Sequence, residues 1–208
     1  MRLFTKKKTL ALITASLSIL ALWGCNEEKG TNGILKDMRD GKTYRTIQIG
    51  NQVWMAVNLN FEAINSFCYE NQSENCLRYG RLYTWDAAED EEVCPNGWHL
   101  PSLEEWQVLF KAIGGKSKAA KALKTTRDWY EGCDGTDTYS FSAKPTGFAG
   151  HYLDTTFFDG NDGSHAYFWT STEQDVINAH AIDLSYSDEA VSIDVYKNHG
   201  FSIRCIKD

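Results

Sequence analysis

CPNGWHLPSLEEW, residues 94–106, is the stretch on which the fold turns. Pro95 ends any helix before it, because proline lacks the amide hydrogen and its ring clashes with the preceding turn. Pro95 to Trp98 then read as a turn. Ser102 opens a new helix. Its hydroxyl can accept the amide of Glu105 while the Glu105 carboxylate reaches back, the reciprocal pairing of a capping box. Pro101 and Trp106 stand where a hydrophobic staple falls. Leu103, Trp106, Phe110 and Ile113 keep the spacing of one buried helix face, and Gly114-Gly115 stops the run.

Upstream, TWDAAEDEEVC (84–94) reads as another helix. Thr84 can cap it, Asp86 and Glu89 suit its positive end, and Trp85 and Ala88 face inward. A shorter helix is expected over roughly 117–124. Further upstream, KTYRTIQIGNQVWMAVNLN (42–60) holds two alternating runs: Ile47 and Ile49, then Val53, Met55, Val57 and Leu59. Gly50-Asn51 between them is the mark of a two-residue hairpin turn. From Thr125 to Asn178 no period is sustained, and such a length of irregular chain in a compact domain is functional or internally packed. The chain then returns to alternation at His180, Ile182, Leu184 and Tyr186, at Val191, Ile193 and Val195, and at Phe201, Ile203 and Cys205. Turns at Ser187-Asp188 and Asn198 to Gly200 make this a three-stranded antiparallel meander.

The first residues have the form of an export signal: basic Arg2, Lys6, Lys7 and Lys8, then an apolar run from Leu10 to Trp23. LWGC (22–25) resembles the bacterial lipobox, which implies that Cys25 becomes a lipid-bearing N-terminus. Several acyl chains on one cysteine hold a protein to a membrane far better than one. Residues 1–24 are thus expected to be a lipoprotein signal peptide and 25–36 a lipid-bearing tether. Residues 37–208 form a single domain. Losing Arg2, Lys6, Lys7 and Lys8 moves the formal net charge from −7 to −11. That acidity argues against nucleic acid as a partner. The expected address is a bacterial cell envelope, at the outer membrane or cell surface. Five cysteines remain after Cys25, and outside the cytoplasm an even subset of them should be oxidised.

YTWDAAEDEEVCPNGWHLPSLEEW resembles the helix pair of C-type-lectin-like domains. DGKTYRTIQIGNQVWMAVNLN, CLRYGRLYTWDAA, CPNGWHLPSLEEW, YFWTSTE and GFSIRCIKD together resemble the Fibrobacter succinogenes major paralogous domain family. That family is similar in overall fold to C-type lectins and to formylglycine-generating enzymes. The resemblance implies an α+β, C-type-lectin-like fold: N-terminal hairpin, two helices, long loop region, C-terminal antiparallel meander. It also implies a bridge between Cys94 and Cys205. A second bridge, Cys68–Cys76, is expected to close the small loop CYENQSENC, leaving Cys133 a thiol.

Catalysis has little to stand on. Formylglycine-generating enzymes use two cysteines close together near the C-terminus, where this chain has Cys205 alone. Cys133 lies between Glu131 and Asp134, carboxylates that would raise a thiol's pKa. His99 beside Leu100 fits a packed, hydrogen-bonded residue better than a base. No metal or cofactor is expected. DGNDG (159–163) has Ser164 where an EF-hand needs glycine. Pro145 lies between Lys144 and Thr146, not between the acidic or amide residues of a lectin calcium site, and the histidines lack zinc spacing. The remaining clue is the aromatic loop region. Tyr152, Phe157 and Phe158, interleaved with Asp154, Asp159, Asn161 and Asp162, are residue types that stack on sugar faces and bond hydroxyls. Trp169 is expected to be buried. The expected role is non-catalytic binding or adhesion, with a polysaccharide or surface protein as ligand. A structural envelope component without a small ligand is the alternative, and an enzyme of the formylglycine-generating type stands third.

Overall fold

In a computed structural model, residues 32–152, 155–160 and 163–208 are described. The expected signal peptide and the lipidation site Cys25 lie outside them, as do Asp154, Asn161 and Asp162. The described chain is a mixed α/β domain with four helices and several antiparallel sheets.

The hairpin forms as its turn dictates. β2 (Thr43–Ile49) pairs with β3 (Gln52–Met55), and Ile49 faces Gln52 across Gly50-Asn51. Gly50 takes a φ of 58°, which a glycine-first two-residue turn requires and a side chain resists. The second run departs from expectation. β3 ends at Met55, which is buried as expected, but Trp54 beside it is buried equally, at 0 % exposure, while Val53 is only half-buried. β1 (Asn32–Lys36) pairs antiparallel with β2, so five residues assigned to the tether belong to the sheet.

α2 (Trp85–Glu89) is shorter than its sequence suggests, and no side-chain bond from Thr84 caps it. After Asp90 the chain must turn so that Cys94 reaches Cys205. α3 (Leu103–Ala112) carries the full capping box: Ser102 Oγ accepts the Glu105 amide at 3.2 Å and Glu105 Oε2 accepts the Ser102 amide at 2.8 Å. Trp106, Phe110 and Ile113 are buried as expected, with Leu109 beside them. α4 (Lys116–Leu123) follows the two glycines. α1 (Ser73–Tyr79), which begins inside the loop closed by Cys68–Cys76 and runs on past Cys76, has no counterpart in the periodicity.

The region read as irregular contains three strands. β7 (Phe148–Tyr152) and β8 (Thr155–Asp159) form a hairpin, and β9 (Ala166–Glu173) pairs with β10 (Asn178–Leu184). β9 hid because Ala166, Phe168, Trp169 and Thr170 are all buried, so no alternation survives in the sequence. Trp169 is buried as expected. The meander is therefore β9–β10–β11, with β11 spanning Ala190–Tyr196. Its expected third strand lies elsewhere.

Residues 200–207 instead stitch the sheets together. Gly200 bridges Ala149 of β7, Phe201 bridges Tyr83, and Ser202 bridges Phe168 of β9. The Ile203 carbonyl accepts Leu59 N at 2.9 Å and the Cys205 carbonyl accepts Met55 N at 3.0 Å. β12 (Ile206–Lys207) then lies between β3 and β6 (Trp98–His99) in the five-stranded sheet. Gly200 to Ile206 are all buried. This spine contributes side chains to two packed cores, Ile206 to one and Phe201, Ile203 and Cys205 to the other. One gathers Trp54, Trp106, Phe110, Phe141 and Phe168; the other gathers Tyr83, Trp85, Trp169, Phe201 and the Cys94–Cys205 bridge.

Candidate functional site

The β7–β8 hairpin carries the residues singled out in the sequence and divides them between its faces. Cross-strand partners share a face, so Gly150 and Phe157 lie on one side, and Ala149, Phe158, His151 and Thr156 on the other. Phe157 covers Gly150 so closely that a Cβ there would meet the ring at 2.1 Å. The ring also meets Phe148 edge-on, at 6.0 Å, and remains 43 % exposed. Phe158 does not join it. It is half-buried, 5.3 Å from Tyr69, and packs against a small core of Tyr69, Leu82 and Ala149. Asp159 is exposed, its Oδ1 accepting Gly160 N at 2.7 Å. Tyr152 is placed in β7 by its backbone; its side chain is not described.

Beside the inner face of this hairpin is a cleft of about 660 Å³. β4 (Ser66–Phe67), which pairs with β5 (Leu82–Tyr83), supplies Phe67. The entry to α2 supplies Thr84, β7 supplies His151, and the end of β11 supplies Tyr196. The His151 ring lies 5.1 Å from Phe67, and Nδ1 is 3.1 Å from Thr156 Oγ1. Thr84 Oγ1 and His151 Nε2 are buried, and neither has a hydrogen-bond partner among the described residues. Burying a polar atom unpaired costs free energy, so two in one wall are unusual. At the rim, Ile177 and Tyr196 are 60 % and 57 % exposed, an apolar edge to a cleft that also contains Asn65, Asp86 and Asn198. An exposed ring, an apolar rim and convergent polar groups suit a ligand with both apolar faces and hydroxyls.

Sequence reasoning missed this cleft. Thr84 read as a helix cap, and Tyr196 lies just past the alternating run of Val191, Ile193 and Val195. His151 stood next to Tyr152 in the aromatic region, and that adjacency was the available signal.

His99 is held at both nitrogens, Nδ1 at 2.7 Å from Asp208 and Nε2 at 2.8 Å from Glu105. Burial lowers its pKa, but bonds to Asp208 and Glu105 outweigh it and hold the ring above the ordinary histidine value. Burial raises Glu105, yet the Ser102 amide, His99 and the Ser102 hydroxyl hold it below the usual carboxylate range. With both nitrogens engaged, the ring is a clasp between β6, α3 and the C-terminus, not a free base. The His99 contribution is fully present below its ordinary value of 6.5 and is lost as pH rises through its higher folded value. The Glu105 contribution is present above 4.5 and is lost as pH falls through its lower folded value. His99→Gln should therefore lower the urea midpoint most between pH 4.5 and 6.5 and progressively less toward alkaline pH. A deficit that does not change with pH would show that packing, not the ion clasp, is what the histidine supplies.

Both expected bridges are present, Cys68–Cys76 and Cys94–Cys205, and Cys133 is a half-buried thiol. Among the described residues, no group of three or more His, Cys, Asp or Glu could hold a metal ion, and no helix is long and apolar enough to cross a membrane.

Fold and cleft define a disulfide-bonded α/β domain built round a buried C-terminal spine, with a partly apolar cleft beside one hairpin. The chain belongs to the Fibrobacter succinogenes major domain family, whose sequence profile matches residues 47–207. No curated protein and no solved structure matches it.

Proposed function

We propose that the protein is a lipid-anchored envelope or surface lipoprotein whose C-type-lectin-like domain binds a carbohydrate in the cleft beside the β7–β8 hairpin. The observation that carries this reading is the lining of the cleft, where the exposed Tyr196 ring and Ile177 stand beside the polar side chains of Asn65, Asp86, His151 and Asn198. Sugar hydroxyls donate and accept at once and suit these polar groups, while Tyr196 and Phe67 offer apolar surface to a pyranose face. The hairpin, the paired helices α2 and α3, and the Cys94–Cys205 bridge to the terminal segment support the lectin-like reading of the fold. The basic and apolar N-terminus ending at Cys25 supports the anchor.

The test uses the purified full chain in detergent, screened against plant and bacterial polysaccharides and then titrated with the best binder. His151→Ala and Tyr196→Ala should each weaken binding by about 1–3 kcal/mol without unfolding the domain. Phe157, on the opposite hairpin face, is the control. Affinity lost in Phe157→Ala but kept in the other two would move the site to the outer face. Absence of binding to every glycan would favour a structural envelope component. For the anchor, Cys25→Ser should abolish processing to the mature size or release the protein from membranes; unchanged processing and retention would refute it.

A further inference from the structure

A second cleft, of about 360 Å³, lies away from the hairpin, between the C-terminal end of α1 and the start of the β2–β3 hairpin. Its lining includes Lys42, Arg45, Arg78, Lys144 and Arg204, and among the described residues no carboxylate lines it. This is a marked reversal in a chain whose formal net charge is −7. Two of the five cations are paired nearby: Lys42 with Asp40 at 2.8 Å, and Arg78 with Asp128 at a loose 3.8 Å. Arg45, Lys144 and Arg204 have no ion pair among the described residues.

The three are held in place by the fold. Arg204 is buried in the spine beneath the cleft, bonded to Asn58 Oδ1 at 2.6 Å and to the Ser142 carbonyl at 3.1 Å. Lys144 is half-buried and donates to the Arg78 carbonyl at 3.1 Å. Burial, together with Arg78, Arg204 and Arg127, holds its amine below the usual lysine range against the pull of Asp128. Arg45, an exposed residue of β2, reaches Ser142 Oγ and the Ala56 carbonyl only at 3.5 Å, so its guanidinium keeps most of its donors free. The α1 wall is pinned by the Cys68–Cys76 bridge and by a close approach at Gly80. Gly80 has a φ of 81°, and a Cβ there would meet Asn58 Cβ at 2.7 Å.

Gathering like charges round a concavity costs free energy unless an anion completes it. The volume is far more than a bare phosphate or sulfate needs and lies near the lower bound of small-molecule pockets, roughly 300 Å³. Its other groups, Asn60, Ser142 and the Tyr79 ring, are suited to hydroxyls and a sugar face. We infer that this cleft binds an acidic sugar residue, a hexuronate of a polysaccharide, with Arg45 and Lys144 on the carboxylate and the buried Arg204 supplying positive potential from below. The site is independent of the hairpin cleft, so either can fail alone.

The experiment titrates the full chain in detergent with an oligogalacturonate, the matching neutral oligosaccharide and inorganic phosphate. The expected result is saturable binding of the oligogalacturonate that weakens as salt is raised and falls roughly tenfold or more in Arg45→Gln and in Lys144→Gln. Lys111→Gln, at an exposed lysine of α3 outside both clefts, should leave it unchanged. Near-UV circular dichroism checks that both variants keep the fold, and each replaces a partly exposed side chain. Equal binding of phosphate would overturn the sugar assignment and leave a simple oxyanion site. Equal binding of the neutral sugar, affinity unaffected by both substitutions, or no saturable binding would overturn the proposal.

Discussion

The double variant Cys94→Ser/Cys205→Ser is expected to lose about 4–5 kcal/mol of folding stability under oxidising conditions. The bridge closes a loop with a sequence separation of 111 and removes that closure entropy from the unfolded chain alone. Its position adds to the effect. Cys205 is fully buried within the spine, its carbonyl accepts the Met55 amide, and Cys94 follows α2 with 5 % exposure. Cys68–Cys76 has a separation of 8 and holds a surface helix, so its removal should cost about 2–3 kcal/mol by the same relation. Urea unfolding of both double variants, monitored by tryptophan fluorescence, gives the comparison. A smaller loss for the Cys94 pair than for the Cys68 pair would mean that hydrogen bonds alone hold the spine. Replacing both partners avoids adding a second lone thiol to Cys133.

The sequence was most legible where local chemistry and tertiary need agreed. Gly50-Asn51 demanded a tight turn and received one; Ser102 and Glu105 formed their capping box. Periodicity failed where burial was two-sided. β9 has consecutive buried residues and no alternation to read, while GFSIRC alternates in sequence yet is buried throughout. Its backbone serves several sheets at once, a role no local pattern specifies. The site was half legible for the same reason. The hairpin's aromatic content pointed to the region beside the candidate cleft, but only the register of β7 and β8 decides that Phe157 faces out and Phe158 faces Tyr69. Buried charges left no mark in the pattern either. Lys124 closes the helix expected over roughly 117–124 and is buried, donating to the carbonyls of Ser185 at 2.8 Å and Ser187 at 3.0 Å beside the Trp129 ring.

Arg204 is the sharper case, and Arg204→Met is expected to destabilise the domain by about 3–5 kcal/mol, because each buried acceptor left unsatisfied costs about 1–3 kcal/mol. The side chain is 1 % exposed and has no carboxylate partner among the described residues. Its Nε donates to Asn58 Oδ1 at 2.6 Å; Nη1 reaches the carbonyls of Met55, at 3.2 Å, and Phe141; Nη2 reaches that of Ser142. Phe141 lies 4.5 Å and Phe168 5.5 Å from the guanidinium carbon. Burial pushes its pKa down to about 9 against the attraction of Asp137, so the group is still charged at neutral pH. Methionine matches the apolar stem and the ring contacts but strands all four acceptors, and unsatisfied buried acceptors are what make the loss large. Lysine keeps the charge but not the planar fork, so Arg204→Lys should recover only part of it. Equilibrium unfolding in urea measures both variants. A loss under about 1 kcal/mol for Arg204→Met, the cost of an ordinary surface change, would show that water reaches those carbonyls and that the spine does not depend on this cation. The acidic-sugar proposal would then lose the buried charge placed beneath its cleft while keeping Arg45 and Lys144, so the stability of this one variant also bears on how deep that positive potential lies.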